Sequence, residues 1–509
     1  MAPSDEERGD SHGTTVPPHP HHQHYYDEFR PALDYAAARQ RVFWDRFRGK
    51  GKKKVGLLES LENTALSSYL NVLLVFLPFA WASHFLLETE HSWGHRTVFA
   101  LSFITIIPLE KLFDWGGEQM AIFLGKDLGD LLIITLNNAV EATLAIILLA
   151  RCELRLLQAT IIGVVVLHLL LIPGTAFFAG GATIWEQSLH PHNTQLNHSL
   201  LLLGVLSLML PTAFFAALDR GTVTLSATGN LQLFGTLIND ATRDQLLRMS
   251  RGLAVILLVV YIASRVFLAN PPGEQNALSV APNAPPELHK ELEELENAEP
   301  EINPFYGVVF LLVTVGIMAV TAEWLVESIE SVREAGNIEE EWFGLILLPI
   351  VSFSADGVVA IIYFVRKVIR HFTGKKYMDP SPLAKARAID LSIQFTLFWM
   401  PFLVLLGWWI NKPMHLMFDY FEVAILLGSC FLVNYVTADA KTNWVEGLVM
   451  VSFYFMIAIV AWFYTGQPEM EPMLFCPSVE AFIAGEAAGE GTGGQELIQS
   501  LAEIAAGHR

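Results

Sequence analysis

Residues 131–150 read LLIITLNNAVEATLAIILLA, a run long and apolar enough to cross a bilayer as a helix. Asn137, Asn138 and Glu141 stand in its middle. A carboxylate at the centre of a membrane costs roughly 3 kcal/mol or more, so such a residue by default marks an ion or proton path. Asn138 and Glu141 are three apart and share a helical face, so an amide oxygen and a carboxylate can reach one bound species. That pair suits a hard cation. The competing reading is structural: a carboxylate satisfied by hydrogen bonds from neighbouring helices.

The rest of the composition agrees with a chain built for the bilayer. Of 509 residues 52% are hydrophobic and 17% charged, and the mean hydropathy is +0.41; this is an all-α polytopic membrane protein with lipid as its surroundings. A formal charge of −20 leaves no basic face for nucleic acid and fits the handling of cations. Cys152, Cys430 and Cys476 form an odd, widely spaced set, for which neither a disulfide framework nor a thiolate metal site is expected. The first sixty or so residues are polar, so no cleavable signal pattern opens the chain and insertion uses internal spans.

Residues 1–65 read as a disordered cytosolic tail, with the His-rich stretch HPHHQHYY at 19–26 as a solvated low-complexity segment that could bind a transition metal weakly. Its end carries Arg46, Arg48, Lys50, Lys52, Lys53 and Lys54, which by the positive-inside rule places the N-terminus in the cytosol. About eleven apolar spans follow, at 67–86, 97–122, 130–150, 155–179, 199–218, 253–270, 305–330, 342–365, 388–411, 419–438 and 445–465. The connection after the eighth is then cytosolic and carries seven basic residues between Arg366 and Arg387, in agreement. The connection after the fifth would be lumenal, yet it contains Arg220, Arg243, Arg248 and Arg251, in conflict. The domain plan is a tail (1–65), a first transmembrane helix (66–96), one five-helix half (97–270), a cytosolic linker with an acidic amphipathic helix at 287–301 (271–304), a second half (305–465) and a flexible acidic lumenal tail (466–509).

The two halves repeat. Glu141 aligns with Asp356, and twelve residues before each stand Gly129 and Gly344. Glu118 and Glu323 sit in or beside the preceding spans, and Pro211 is paired with Pro401. Five spans is an odd number, so the second half enters the membrane inverted, the plan of secondary transporters whose site lies at the midplane between the halves.

These residues also carry a family likeness. NAVE at 138–141, followed by LRLLQATIIG at 154–163, resembles the first signature of the calcium/proton exchangers of the cation/calcium exchanger superfamily. AEWLVESIE (322–330), FGLILLPIV (343–351), PFLVLLGWW (401–409) and the stretch from FEVAILL to VNYVTADAKTNWVEG (421–447) extend the resemblance over nearly all of 65–465. The resemblance implies eleven helices, two inverted repeats and a cation/proton antiporter of a vacuolar or similar membrane. It departs from the family at the second Gly-Asn-Ala-x-Glu core, which the family follows with His. Here that segment reads Ser352-Phe353-Ser354-Ala355-Asp356-Gly357, so Phe353 replaces the Asn, Asp356 the Glu and Gly357 the His. Ser352, four residues before Asp356, can offer a hydroxyl on the same face. His168 replaces an amide in a supporting helix, either as an added proton site or as a packed neutral ring, and Gln394 lies in the later counterpart.

The expected site is therefore Glu141, Asp356, Asn138 and Ser352 around a cation, Glu118 and Glu323 as nearby acids that take protons or relay the cation, and His168 and Gln394 in support. The substrates are protons and a cation, Ca2+ by resemblance, and no cofactor is expected. Carboxylates that hold either a cation or protons, but not both, give exchange once the two repeats rock between sides. The same fold with Na+, K+ or Mn2+ as cargo is one alternative, and a degenerate scaffold that no longer transports is the other. No HExxH, GxSxG or P-loop pattern stands in the spans, which argues against an enzyme.

Overall fold

The computed structural model describes residues 41, 43–86, 92–181, 187–189, 191–218, 238–269, 298–373, 387–468 and 470–482. The His-rich stretch and the acidic helix as far as residue 297 lie outside them. The chain falls into two compact units, Met1–Lys54 and Val55–Arg509. In the first, Phe43 stacks on Phe47 with ring centroids 6.2 Å apart, and Lys50 Nζ meets Asp45 Oδ2 at 3.1 Å.

Among the described residues the second unit is built of helices and one two-stranded ribbon, joined by loops. Its helices in chain order are α1 (Leu57–Leu66), α2 (Phe76–Leu86), α3 (Ser92–Leu124), α4 (Lys126–Asn137), α5 (Ala139–Arg151), α6 (Leu154–Val166), α7 (Ile172–Gly181), α8 (Pro191–Ala217) and α9 (Asp240–Ala269). The second half continues with α10 (Pro304–Glu327), α11 (Ile329–Gly336), α12 (Leu348–Phe372), α13 (Arg387–Gln394), α14 (Met400–Trp409), α15 (Tyr420–Val436), α16 (Trp444–Ala461) and the short α17 (Met470–Leu474). Among the described residues seven helices are long and apolar enough to cross a membrane, and an eighth when the bent pair α4–α5 counts as one span. Three other expected spans are helical as well. Of these, α3 carries Glu110, Lys111, Asp114 and Glu118 along its length, α12 has 25 residues, and α15 has 17.

Hydropathy decides depth. The rod α6–α7 is apolar apart from a few polar side chains such as Gln158, Thr160 and His168, and every residue from Leu156 to Leu171 is buried, so it forms the centre of the bundle. On α9, Val255, Ile256, Val259, Ile262 and Val266 face outward, as lipid-facing residues do. The central rod comes close to its neighbour through small residues. A Cβ on Gly163 would collide with the Leu345 carbonyl, and one on Gly344 would lie 2.8 Å from Ala159 Cβ.

Two prolines mark corresponding bends. A π turn at Leu167–Leu171 runs into Ile172-Pro173, and another at Phe395–Trp399 runs into Met400-Pro401. Proline lacks the N–H for the ladder and its ring crowds the preceding turn, and a π turn absorbs both. Pro211 instead sits inside α8 with no such turn before it. Pro173 thus shares the setting of Pro401 and Pro211 does not; the sequence pairing matched a residue type without its setting.

One end of the bundle gathers segments far apart in sequence. Cys152, just after α5, is disulfide-bonded to Cys476 after α17, with Cα atoms 6.3 Å apart. The expectation of no disulfide is corrected; 324 residues separate the pair, so spacing concealed it. Residues 470–474 are helical and their Met470, Pro472, Met473 and Leu474 are buried, so the start of the expected flexible tail is packed. Of the arginines that conflicted with the charge rule, Arg220 lies outside the described residues and the other three lie at this end, each against a partner. Arg243 binds Asp240 at 2.7 Å and the Phe475 carbonyl at 2.7 Å, Arg248 pairs with Asp244, and Arg251 covers the Trp408 ring at 4.9 Å. At the opposite end strands β1 (Gln187–Ser188) and β2 (Lys441–Thr442) pair antiparallel, and Leu189 N–H donates to the Ala440 carbonyl at 2.7 Å.

Candidate cation site

The stretch that opened the sequence reading is a broken helix. α4 stops at Asn137, α5 starts at Ala139, and the two axes differ by 54°. Asn138 is the break, with φ −98° and ψ 8°. Apolar residues on both sides favour helix, but two adjacent asparagines compete for backbone groups and are neutral to poor helix formers. The Asn137 amide, oriented to satisfy its neighbours, donates to Asp114 Oδ1 at 2.8 Å and to the Ile133 carbonyl at 2.9 Å. A break of this kind presents the last carbonyls of α4 and the positive end of α5 to one point, the arrangement that discontinuous helices use to bind ions.

Asn138 and Glu141 both occupy that point. Asn138 is fully buried; its Nδ2 donates to Gln394 Oε1 at 2.7 Å, while its Oδ1 has no hydrogen-bond partner among the described residues. Gln394 is held in turn by donating Nε2 to Thr135 Oγ1 at 3.0 Å. Glu141 lies in the first turn of α5 and is 2% exposed, where the positive helix end favours its charge. His168, brought inward on the π turn of the central rod, sets Nε2 3.8 Å from Glu141 Oε1. Asn138, Glu141, His168 and Gln394 therefore converge from α4–α5, α6–α7 and α13.

The family described as sodium/calcium exchanger protein matches residues 95–269 and 306–463. The chain belongs to this family. Among curated relatives, it is 32% identical to a vacuolar calcium ion transporter of Cryptococcus neoformans, covering 80% of this chain and 76% of that one. It is also 32% identical to a Ca(2+)/H(+) antiporter of Synechocystis, covering 77% and 96%. Among solved structures, native YfkE aligns with a TM-score of 0.56 at 20% identity over 78% of this chain and all of that one, which speaks for a shared fold.

In this exchanger the other predicted residues are placed unevenly. Ser352 and Asp356 lie on α12, and their side chains are outside the described residues. α12 is unbroken through Phe353, unlike its first-half counterpart, and the Phe353 ring stands 2.8 Å from where a Cβ on Gly357 would be. The aromatic ring thus takes the space that a side chain at 357 would use. Glu118 and Glu323 are exposed, whereas Glu141 is buried. Glu323 meets Arg151 at 3.1 Å, ten residues and about 15 Å along α5 from Glu141. Of the acids on α3, Glu110 is the buried one and Glu118 the exposed one. Successive steps of four residues rotate about 40° around a helix, so Glu110, Asp114 and Glu118 walk from the core outward. Spacing from the neighbouring signature would have flagged all three acids; only packing selects between them.

The exchanger also holds a buried ionic cluster at the disulfide end that sequence reading missed. Arg155 Nε donates to Glu341 Oε1 at 2.7 Å, and Nη2 donates to the Thr465 carbonyl at 2.7 Å. Asp419 accepts from Tyr464 Oη at 2.6 Å and from the Gln467 N–H at 2.7 Å. Burial raises the Glu341 carboxyl against the pull of the Arg155 charge. Burial, then the charges of Glu340 and Glu330, raise Glu153. Gln158 Nε2 reaches the His415 carbonyl at 2.9 Å, and burial lowers the His415 ring to about 4.

Proposed function

We propose that this chain is a secondary antiporter that moves Ca2+ from the cytosol into an acidic organelle, the vacuole, in exchange for protons. The observation that carries the proposal is Glu141 buried beside Asn138 at the break of a membrane-crossing helix. The orphaned Asn138 Oδ1 supports it, because a buried carbonyl oxygen without a donor is suited to a cation. The fungal relatives, vacuolar calcium ion transporters, agree in cargo, and the cyanobacterial Ca(2+)/H(+) antiporter agrees in cargo and exchange partner.

Glu141, Asn138, Asp356 and Ser352 form the cation site, with Gln394 holding Asn138 in place. Protons compete with the cation for the carboxylates, so release of one accompanies binding of the other. Eleven crossings arranged as one added helix and two inverted halves, with a cytosolic N-terminus, supply alternating access; the matched settings of Pro173 and Pro401 support that repeat. On this topology the disulfide end is lumenal, in keeping with the oxidising side of a membrane.

One observation favours a wider cargo. His168 offers nitrogen 3.8 Å from the Glu141 carboxylate, and imidazole suits Mn2+ better than it suits Na+ or K+. The deciding experiment is uptake into proteoliposomes with an acidic interior, with calcium, manganese, sodium and potassium offered side by side. Calcium uptake that needs the pH gradient and vanishes in Glu141→Gln is the expected result. Uptake of another cation alone would correct the cargo, and no uptake of any would leave the scaffold without transport.

A further inference from the structure

The disulfide end and its opposite are held unequally. At the disulfide end Arg155 of α6 is locked to Glu341 at 2.7 Å, with Glu471 3.8 Å away. The Cys152–Cys476 bond and the buried α17 lie over the same end. At the opposite end, Arg265 of α9 faces Asp390 of α13 at 4.0 Å, beyond hydrogen-bond reach. Its guanidinium lies 4.9 Å over the Tyr261 ring, and its Nε and Nη2 have no hydrogen-bond partner among the described residues. Asp390 Oδ1 also accepts from Asn197 Nδ2 of α8 at 3.0 Å.

A guanidinium inside a crossing helix gains most from a bidentate carboxylate, and Arg265 stands about one ångström short of one. Both arginine pairs join a first-half helix to a second-half element, at opposite ends of the bundle. Asp390 and Gln394 stand one turn apart on α13, and Gln394 holds Asn138. One helix therefore connects the loose pair to the cation site.

We propose that Arg265 and Asp390 form the closing latch at the end opposite the disulfide. The pair tightens to hydrogen-bond distance when that end shuts, and Arg155–Glu341 opens in the same step. The conformation described is then shut at the disulfide end and open at the Arg265 end. Through α13, which carries both Asp390 and Gln394, occupancy of the cation site biases the latch. This inference rests on the antiporter reading.

The test is the initial rate of pH-gradient-driven Ca2+ uptake in proteoliposomes of the full chain. Arg265→Gln and Asp390→Asn should each lower the maximal rate tenfold or more and move the half-saturating Ca2+ concentration less than threefold. The exchanged pair, Arg265→Asp with Asp390→Arg, should recover at least threefold over either single variant, a rescue that a packing role does not give. Should the neutral variants fail to fold, Arg265→Lys and the exchanged pair carry the test through the same comparison of rates. Single variants at the wild-type rate, or an exchanged pair no faster than the slower single variant, would overturn the latch. A wild type without uptake would instead overturn the antiporter reading.

Discussion

Asn138 donates Nδ2–H to Gln394 Oε1 over 2.7 Å, and that bond ties the broken helix of the first half to α13 of the second. It fixes which atom of the Asn138 amide faces Glu141's side of the break. Replacing Gln394 by Leu would strand a buried amide, which costs about 1–3 kcal/mol. Gln394→Leu is expected to raise the half-saturating Ca2+ concentration about tenfold or more, while Gln394→Glu, which keeps an acceptor, has a smaller effect. Concentration-dependent uptake into proteoliposomes checks both.

The Arg155–Glu341 pair makes a prediction about stability. Arg155 is largely enclosed and Glu341 is 8% exposed, so removing the cation leaves a buried carboxylate uncompensated. Arg155→Met should cost about 3 kcal/mol, and Arg155→Met with Glu341→Gln should cost less than the single change. Thermal unfolding in detergent of both variants measures the difference.

His415 sets a pH window. Its folded value of about 4 lies below the ordinary 6.5, because the buried ring resists charge. Between those values an unfolded chain takes up a proton that the folded chain refuses. The contribution of the neutral ring is therefore full above about pH 6.5 and is lost as pH falls toward 4, about 3 kcal/mol in all. Unfolding midpoints followed downward from neutral pH should fall more steeply in wild type than in His415→Gln.

The Cys152–Cys476 bond predicts a redox dependence. Closing so long a loop is worth about 2–4 kcal/mol to a typical protein. Reductant should lower the unfolding midpoint of the wild type and leave Cys152→Ser unchanged.

Much of the fold was legible because hydropathy is a direct readout of depth in a bilayer. The run at 131–150 announced its own importance, since an acid and an amide in apolar surroundings are costly unless used. His168 and Gln394 could be named from family pattern, and the packing brings both to Asn138 and Glu141. The exposure of Glu118 and Glu323 was not legible, because helical phase relative to the core depends on how a helix is tilted and rotated, which one sequence does not encode locally. Pro211 misled for a related reason: the significance of a proline lies in the turn before it. At Arg243, Arg248 and Arg251 the charge rule counts charges without their partners, and Asp240, Asp244 and Trp408 supply those partners.

The disulfide has a consequence for biosynthesis. Cys152 emerges early, between the first half's broken helix and the central rod, whereas its mate follows the last long helix by fifteen residues. The earlier thiol must wait, reduced, while 324 residues are threaded and folded. Bond closure thus acts as a seal of completed assembly, and a chain halted part-way through translation carries an open thiol that quality-control machinery can read.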